Sequence, residues 1–247
     1  MKNIRKLLCA ILAAALLILT ALPALAEIEF DSSPVTVYLS DKEGSSYVWA
    51  DFSVWGLEKD SKITDVKSSN KKVVQVYSVQ HSQGKTKYTE EDREDSEWYD
   101  AYIENKALKA GTATVSFKVD GTTYKKKITV KGYTNPVKSL VLTGVSSANQ
   151  KSKFAKGDYA NIPLKKNAKA GYLKVSAASG WKIRRVYWYD RTDDDWDTYR
   201  QFSSGKGVAS VKMPVPAMKK TGRYNVEVEF VNTKTGGTKY INLYYND

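Results

Sequence analysis

The chain has 247 residues and a net charge of +12, and 42% of its residues are hydrophobic. This length suits one large domain or two ordinary ones. The single cysteine, Cys9, and the single histidine, His81, exclude Cys–His catalysis and zinc clusters of these residues, and they make a Ser–His–Asp triad hard to build. Glycine-rich phosphate loops are also missing. We therefore predict that the chain is not an enzyme and uses no cofactor.

The N-terminus has the pattern of a secretory signal peptide. Three basic residues precede an apolar run over Leu7–Leu22, and Ala24-Leu25-Ala26 forms a small-x-small cleavage site. The apolar run is shorter than the ~20 residues that a membrane-spanning helix needs. We therefore predict a signal peptide over residues 1–26, no transmembrane segment in the mature chain, and a secreted or extracellular location that includes association with the cell wall.

Charge is distributed unevenly over the rest of the chain. Residues 27–132 have a net charge of −2, and residues 133–247 have a net charge of +11. Such an asymmetry indicates a polyanionic partner for the basic half, such as an anionic wall polymer. The alternative is that lysines keep the strands soluble and block edge pairing. Basic charge with interleaved aromatics also fits single-stranded nucleic acid, but export argues against nucleic acid as a physiological partner.

Strand patterns dominate the first half. Apolar residues alternate with polar or aromatic ones over Val35–Leu39, Val48–Val54 and Ala113–Val119. A period of two indicates strands with one buried face. Asp120-Gly121 favours the positive φ angles of a two-residue hairpin, so the strand that ends at Val119 should turn back there.

A linker is predicted at Lys131–Pro136, because Gly132 and Pro136 interrupt the strand pattern. The chain beyond it has no helical period, and its short strands predict a second sandwich. We expect an all-β protein with two tandem β-sandwich domains, over residues 27–132 and 133–247. The strands predicted in the second half are Pro136–Leu142, Asp158–Leu164, Tyr172–Val175, Ile183–Asp190, Val208–Met213, Arg223–Val231 and Lys239–Tyr245.

Three stretches of the first half resemble the group 2 bacterial immunoglobulin-like domain. They are Ser-Ser-Asn-Lys-Lys-Val-Val-Gln-Val from Ser68, the run Ala-Leu-Lys-Ala-Gly-Thr-Ala-Thr-Val-Ser-Phe-Lys-Val-Asp-Gly from Ala107, and Lys-Lys-Lys-Ile-Thr-Val from Lys125. The resemblance implies a β-sandwich of a secreted or surface protein, used as a spacer, an adhesive module or a carbohydrate-associated accessory. Residues 133–247 resemble the immunoglobulin-like class more loosely. The chain departs from the family at an acidic insertion over about residues 80–106.

The insertion and a second acidic segment are candidate cation sites. Glu90–Asp100 carries seven carboxylates against one arginine, and Asp193–Asp195 is a run of three aspartates. Carboxylates in a loop can bind Ca²⁺, but an organised calcium loop spaces its ligands and uses glycine for a sharp turn. The alternatives are solvated charge runs, or docking of the insertion onto the basic half.

The hairpin around Arg191 is the most distinctive candidate site. Aromatic rings flanked by Arg and Asp suit sugar recognition, because the rings stack on C–H faces while polar groups bond the hydroxyls. The alternative is structural: Trp188 would be the core tryptophan of the sandwich, and the outward tyrosines would pair across strands, at ~0.2–1 kcal/mol per pair. The predicted ligand-binding residues are Arg184, Arg185, Tyr187, Tyr189, Trp196 and Tyr199.

Tyr47 and Trp49 form a third candidate, on the polar parity of the strand that should bury Val48, Ala50 and Phe52. They would be either an exposed interaction surface or a contact beneath the insertion.

These features predict a secreted or cell-surface, non-enzymatic binding or adhesion module for an extracellular glycan or an anionic wall polymer. One alternative is a structural spacer or assembly subunit with surface-protein partners. The other is a weak glycoside hydrolase, or an accessory module of one, since a pair of carboxylates can hydrolyse a glycoside.

Overall fold

The computed structural model describes residues 28–44, 46–86, 96–192 and 199–246. Within these ranges the protein is all-β, and one short 3-10 helix, Gln150–Phe154, is its only helix. No helix in these ranges has the length and apolar character to span a membrane. The strands are β1 (Val35–Tyr38), β2 (Val48–Trp49), β3 (Phe52–Leu57), β4 (Ile63–Ser68), β5 (Val74–Thr86), β6 (Ser96–Ala107), β7 (Gly111–Val119), β8 (Thr122–Lys131), β9 (Val137–Leu142), β10 (Tyr159–Pro163), β11 (Gly171–Ala177), β12 (Trp181–Asp190), β13 (Tyr199–Val208), β14 (Ser210–Val215), β15 (Tyr224–Asn232) and β16 (Thr238–Asn246).

Several sequence predictions lie outside the described residues. They are the signal peptide over residues 1–26, the acidic stretch up to Asp95, the aspartates Asp193–Asp195, and Trp196. The rest of the predicted insertion belongs to two long strands: the part up to Thr86 is the end of β5, and the part from Ser96 is in β6.

The strands form three sheets. A nine-stranded sheet has the order β13-β12-β15-β16-β1-β8-β7-β4, with β10 also paired to β16. A three-stranded sheet has the order β14-β11-β9, and a four-stranded sheet has the order β2-β6-β3 with β5 paired to β6.

The main core lies between the three-stranded sheet and one part of the nine-stranded sheet. Strands β12, β15 and β16 contribute residues such as Trp188, Phe230 and Ile241, and the facing sheet contributes residues such as Leu173 and Met213. Two sheets that bury their apolar faces against each other form a β-sandwich. The predicted all-β sandwich class is therefore confirmed, and so is the placement of Trp188 in the core.

The hairpin predicted at Asp120-Gly121 is confirmed. Val119 pairs directly with Thr122, so the loop between β7 and β8 has two residues. Asp120 and Gly121 have φ angles of +48° and +88°, as a type I′ turn requires. The alternation over Ala113–Val119 is confirmed as well, because its odd-numbered residues are all buried.

Strand β1 extends the large sheet across the predicted linker. Val35–Tyr38 pairs in parallel with Ile128–Lys131 of β8, and Val37 pairs with Thr238 of β16 on the other side. The nine-stranded sheet thus contains strands from both sides of Lys131–Pro136. The predicted boundary between residues 132 and 133 stays a prediction.

The chain divides into two compact units. The smaller contains residues 1–31, 53–61 and 79–102, and the larger contains the rest. In the described part of the smaller unit, Glu29 and Trp55 exchange two backbone hydrogen bonds. The indole of Trp98 in the same unit occupies the space that a Cβ at Gly84 would take. The site described below lies entirely in the larger unit.

A buried ion pair joins four segments of the larger unit. Lys239 Nζ lies 2.9 Å from Asp158 Oδ2, donates a 2.6 Å hydrogen bond to the carbonyl of Leu39, and sits 4.5 Å from the centre of the Tyr133 ring. Burial raises the pKa of Asp158 to about 7, although the Lys239 ammonium opposes this shift. The Asp158 carboxyl therefore titrates far above its ordinary value of 3.8.

This shift predicts a pH dependence of stability. The unfolded chain releases the Asp158 proton near pH 4 and the folded chain only near pH 7, so the folded state binds more protons between these values. The contribution of Asp158 to the free energy of unfolding should therefore fall as the pH rises from about 4 to about 7. Urea unfolding of the wild type and of Asp158→Asn over this range measures it. Parallel profiles for the two proteins would contradict the prediction.

Candidate functional site

A β-bulge in β12 determines which aromatic residues of that strand face outward. Ile183 pairs with Phe230 of β15 and Arg185 pairs with Glu229, so Arg184 is an extra residue. One extra residue exchanges the two faces of a strand, because the side-chain period is two. Trp181 and Ile183 are buried before the bulge, and Val186 and Trp188 are buried after it. Tyr187 and Tyr189 consequently point away from the core.

The outward side of the sheet carries further tyrosines in register with these two. One row across the strands reads Tyr199, Tyr189, Asn225, Tyr244, Asn161, and the next reads Gln201, Tyr187, Glu227, Asn242, Tyr159. Tyr240 follows on β16, opposite Glu229. We call this surface the tyrosine face and define it by Tyr159, Tyr187, Tyr189, Tyr199, Tyr240, Tyr244, Asn161, Gln201, Asn225, Glu227 and Asn242.

The rings of the tyrosine face support one another. Tyr187 and Tyr189 stack with centroids 5.6 Å apart and planes 14° apart, and Tyr189 lies 6.2 Å from Tyr199 across the strands. Tyr159 and Tyr244 lie 4.9 Å apart. Ring contacts of this kind contribute ~0.5–1.5 kcal/mol beyond the burial of area. The face is therefore an ordered aromatic surface on rigid strands.

A buried amide lies in the middle of the tyrosine face. Asn225 is only 1% exposed, and its direct cross-strand neighbours are Tyr189 and Tyr244. Among the residues that the structure describes, none donates a hydrogen bond to Asn225 Oδ1. Leaving a buried acceptor without a donor costs about 1–3 kcal/mol. The tyrosine face thus covers a buried acceptor that has no donor among the described residues.

Glu227 adds a partly buried carboxyl beside this amide. Burial raises the pKa of Glu227, and the nearby Arg191 opposes that shift. Burial also raises the pKa values of Tyr189, Tyr240 and Tyr244. The phenols therefore keep their protons at neutral pH, and each can donate and accept a hydrogen bond.

The two arginines of the predicted site share one carboxylate. Arg184 Nη1 lies 3.4 Å from Glu229 Oε1, and Arg185 Nε lies 3.4 Å from Glu229 Oε2. The Glu229 side chain is only 4% exposed. The bulge brings both arginines within reach of this one side chain, so much of their charge is balanced inside the protein.

Most of the predicted ligand-binding residues lie together. Arg185, Tyr187, Tyr189 and Tyr199 occupy cross-strand positions on one side of β12 and β13, and Arg184 joins them at the bulge. The two interpretations of this hairpin are compatible, because Trp188 packs in the core while the tyrosines pair across strands on the outside. Ligand binding by these residues stays a prediction.

The contribution of β10, β15 and β16 to the face was missed in the sequence. A signal was present in β16, where Tyr240, Asn242 and Tyr244 alternate with buried Ile241 and Leu243. The position of these residues beside β12 depends on pairing between β12 and β15, which are distant in sequence. Local patterns do not contain that information.

Tyr47 and Trp49 are both exposed and belong to an aromatic cluster with Tyr77. Trp49 lies 5.0 Å from Tyr47 and 5.5 Å from Tyr77, between ring centroids. Lys106 Nζ sits over all three rings, 3.7 Å from the centre of Tyr77. Tyr77 lies on β5 and Lys106 on β6. A role of Tyr47 and Trp49 as an interaction surface, or as a contact beneath the insertion, stays a prediction.

No group of three or more His, Cys, Asp or Glu residues in the described ranges is placed to hold a metal ion. The two predicted calcium sites fall at least partly outside those ranges.

No protein-family model and no curated protein matches the chain. Among solved structures, domains 4–9 of the surface layer protein SbsC are similar at 14% identity and a TM-score of 0.29, over 91% of this chain and 32% of that one. The I9–I11 tandem of titin is similar at 12% identity and a TM-score of 0.26, over 90% and 65% of the two chains. The fibronectin(III)-like modules of Clostridium thermocellum CbhA are similar at 13% identity and 0.24, over 90% and 93%.

The chain thus spans about a third of the SbsC structure. The β-sandwich is visible in the strands and the core of this chain itself.

The shared carboxylate predicts a non-additive effect of arginine removal. Arg184→Ala or Arg185→Ala alone should lower the free energy of unfolding by less than about 1 kcal/mol, since the other arginine still balances Glu229. The double variant should lose about 3 kcal/mol, because it leaves a buried carboxylate without a cation. Urea unfolding of the three variants tests this. A double variant that equals the sum of the singles would contradict it.

Proposed function

We propose that this chain is a non-enzymatic extracellular glycan-binding module and that the tyrosine face is its binding site. One observation carries the proposal: tyrosines, amides and a carboxyl share the outward face of five neighbouring strands, with a buried acceptor among them. Rings of this kind stack on the C–H face of a pyranose. The amide, carboxyl and phenol groups between them match its hydroxyls.

The residue type and the position of the outward tyrosines favour a role in binding over a role in folding. Tyrosine supplies a large contact area at low entropic cost, since it has only two side-chain torsions. Residues on strands are held more precisely than residues on loops. The core already contains Trp188 and its neighbours on the opposite side of the sheet. The outward tyrosines are therefore not needed to fill that core.

The charges on the face favour an uncharged glycan over an anionic polymer. Arg184 and Arg185 are engaged by Glu229, and Glu227 adds a further carboxyl group. A polyanion would meet these acidic groups, whereas a neutral sugar would use them as hydrogen-bond acceptors. We therefore expect affinity that changes little with ionic strength.

The extracellular location and the role of the first half are part of the same proposal. The signal-peptide pattern over residues 1–26 supports export. The resemblance of Ser68–Val130 to group 2 bacterial immunoglobulin-like domains supports a module that holds the second half at the cell surface.

The proposal predicts loss of binding when face tyrosines are removed. The probes are soluble xylan, galactomannan and mixed-linkage β-glucan, with polygalacturonic acid as the anionic comparison. Tyr189→Ala and Tyr244→Ala should each weaken binding to the best neutral probe about fivefold to tenfold, the loss typical of an aromatic anchor. The control is Tyr172→Ala, which removes an exposed tyrosine from the other sheet of the sandwich. Affinity electrophoresis and calorimetry measure the effect.

Asn225→Leu separates binding from folding in the same assay. It replaces a buried amide whose oxygen has no described donor, so the free energy of unfolding should stay the same or rise while neutral-glycan binding falls. Binding of polygalacturonic acid that weakens with salt would instead indicate an anionic ligand. The proposal is wrong if the wild type binds no neutral probe, or if both Tyr189→Ala and Tyr244→Ala bind like the wild type.

A further inference from the structure

A cleft of about 440 Å³ opens beside β16. β16 changes its neighbour at this point: Thr238 pairs with Val37 of β1, and pairing with β10 begins at Asn242. Residues 239–241 lie between these two pairings, and they pair with neither β1 nor β10. The interruption leaves a recess that is lined by residues of β1 and β2 on one side and by Asp158, which precedes β10, on the other.

The cleft has the mixed lining of a sugar site. Tyr47, Trp49 and Tyr240 supply exposed aromatic rings. Ser40, Asp158, Lys239 and Asn242 supply polar groups. Binding sites for small ligands combine apolar and aromatic walls with a few polar groups in this way.

Tyr240 and Asn242 connect the cleft to the tyrosine face. Asn242 lies opposite Glu227, in the row that continues through Tyr187, and Tyr240 lies opposite Glu229. Both residues also line the cleft. The two surfaces therefore adjoin, and one extended ligand can contact both.

Tyr47 and Trp49, the aromatic wall of the cleft, are held in place by neighbouring side chains. Trp49 packs edge-on against Tyr47 and Tyr77, and Lys106 Nζ lies 5.5 Å from the Trp49 ring and 4.5 Å from the Tyr47 ring. Cation–π attraction fixes such rings without any ligand. The wall is thus preorganised, which lowers the entropic cost of binding.

The polar end of the cleft is similarly ordered. Asp158 Oδ2 is bound by Lys239, which also donates to the carbonyl of Leu39. Within the described ranges, Asp158 Oδ1 and Ser40 Oγ have no hydrogen-bond partner. Both atoms are buried, and Lys239 balances the charge of the carboxylate, so the protein itself fixes the polar end of the cleft.

We propose that the cleft is a second part of the glycan site, so that a polysaccharide chain lies along the tyrosine face and continues into the cleft, where Trp49 stacks on one of its sugar rings. This inference rests on the proposed function. The strands from β13 to β10 span about 19 Å at ~4.8 Å per strand spacing, before the cleft is added. The ligand class is therefore a long oligosaccharide or polysaccharide, in preference to a single sugar or a disaccharide.

Oligosaccharide ladders test the proposal. Calorimetry with xylo-, manno- and cello-oligosaccharides, from disaccharide to hexasaccharide, is run on the wild type, Trp49→Ala and Tyr189→Ala. Wild-type affinity should rise with length. Trp49→Ala should leave the affinity for the shortest binding oligosaccharide unchanged and lower that for the longest about tenfold. Tyr189→Ala should weaken binding at every length.

Two further variants serve as a control for Trp49→Ala and as a substitute for it. Trp55→Ala removes a tryptophan of similar exposure, 46% against 42% for Trp49, that does not line the cleft, and it should behave like the wild type. If Trp49→Ala does not fold, Tyr47→Ala replaces it. Tyr47 is in the same aromatic wall, and its removal should change the dependence of affinity on oligosaccharide length in the same way.

The outcomes distinguish the two proposals. If Trp49→Ala and Tyr47→Ala keep the wild-type dependence on length while Tyr189→Ala weakens binding, the cleft proposal is wrong and the tyrosine face stands. If the wild type binds none of these oligosaccharides and none of the parent polysaccharides, both are wrong.

Discussion

The two-residue period of β12 and its interruption at Arg184 determine the rest of the site. If Arg184 were paired in a regular ladder with no bulge, the parity that buries Trp181 and Ile183 would direct Tyr187 and Tyr189 into the core and Trp188 outward. With the bulge, the apolar residues on both sides of it are buried in the core, and the two tyrosines face outward. Arg184, the extra residue of the bulge, also forms an ion pair with the buried Glu229. The bulge therefore helps to balance the charge of that carboxylate.

The surface that results contains polar groups that cost stability. Asn225 is buried with an acceptor that no described residue satisfies, although an apolar side chain would fit the strand at no such cost. Glu227 and Glu229 are carboxyl groups placed in a partly or fully buried layer of the sheet. Proteins retain unsatisfied polar groups chiefly where function requires them, and here they coincide with an ordered set of aromatic rings.

Local chemistry in the sequence was sufficient for much of the fold. The Asp120-Gly121 turn and the alternation over Ala113–Val119 depend only on neighbouring residues, and the parity of Val186 and Trp188 placed the tryptophan in the core. The parallel pairing of β1 and the position of Asn225 beneath the tyrosines depend on which distant strands adjoin. Five of the six predicted ligand-binding residues are described and adjoin on the structure, because they came from one hairpin; the residues of β10, β15 and β16 required the sheet.

Chemical-shift mapping tests the central claim most directly. ¹⁵N-labelled protein is titrated with a hexasaccharide of the best-binding neutral polysaccharide. If the ligand binds the tyrosine face, the largest backbone amide shifts will fall on Tyr189, Asn225 and Tyr244 and their neighbours on that face. Shifts confined to the opposite sheet, around Tyr172, would contradict it, and so would the absence of any shift.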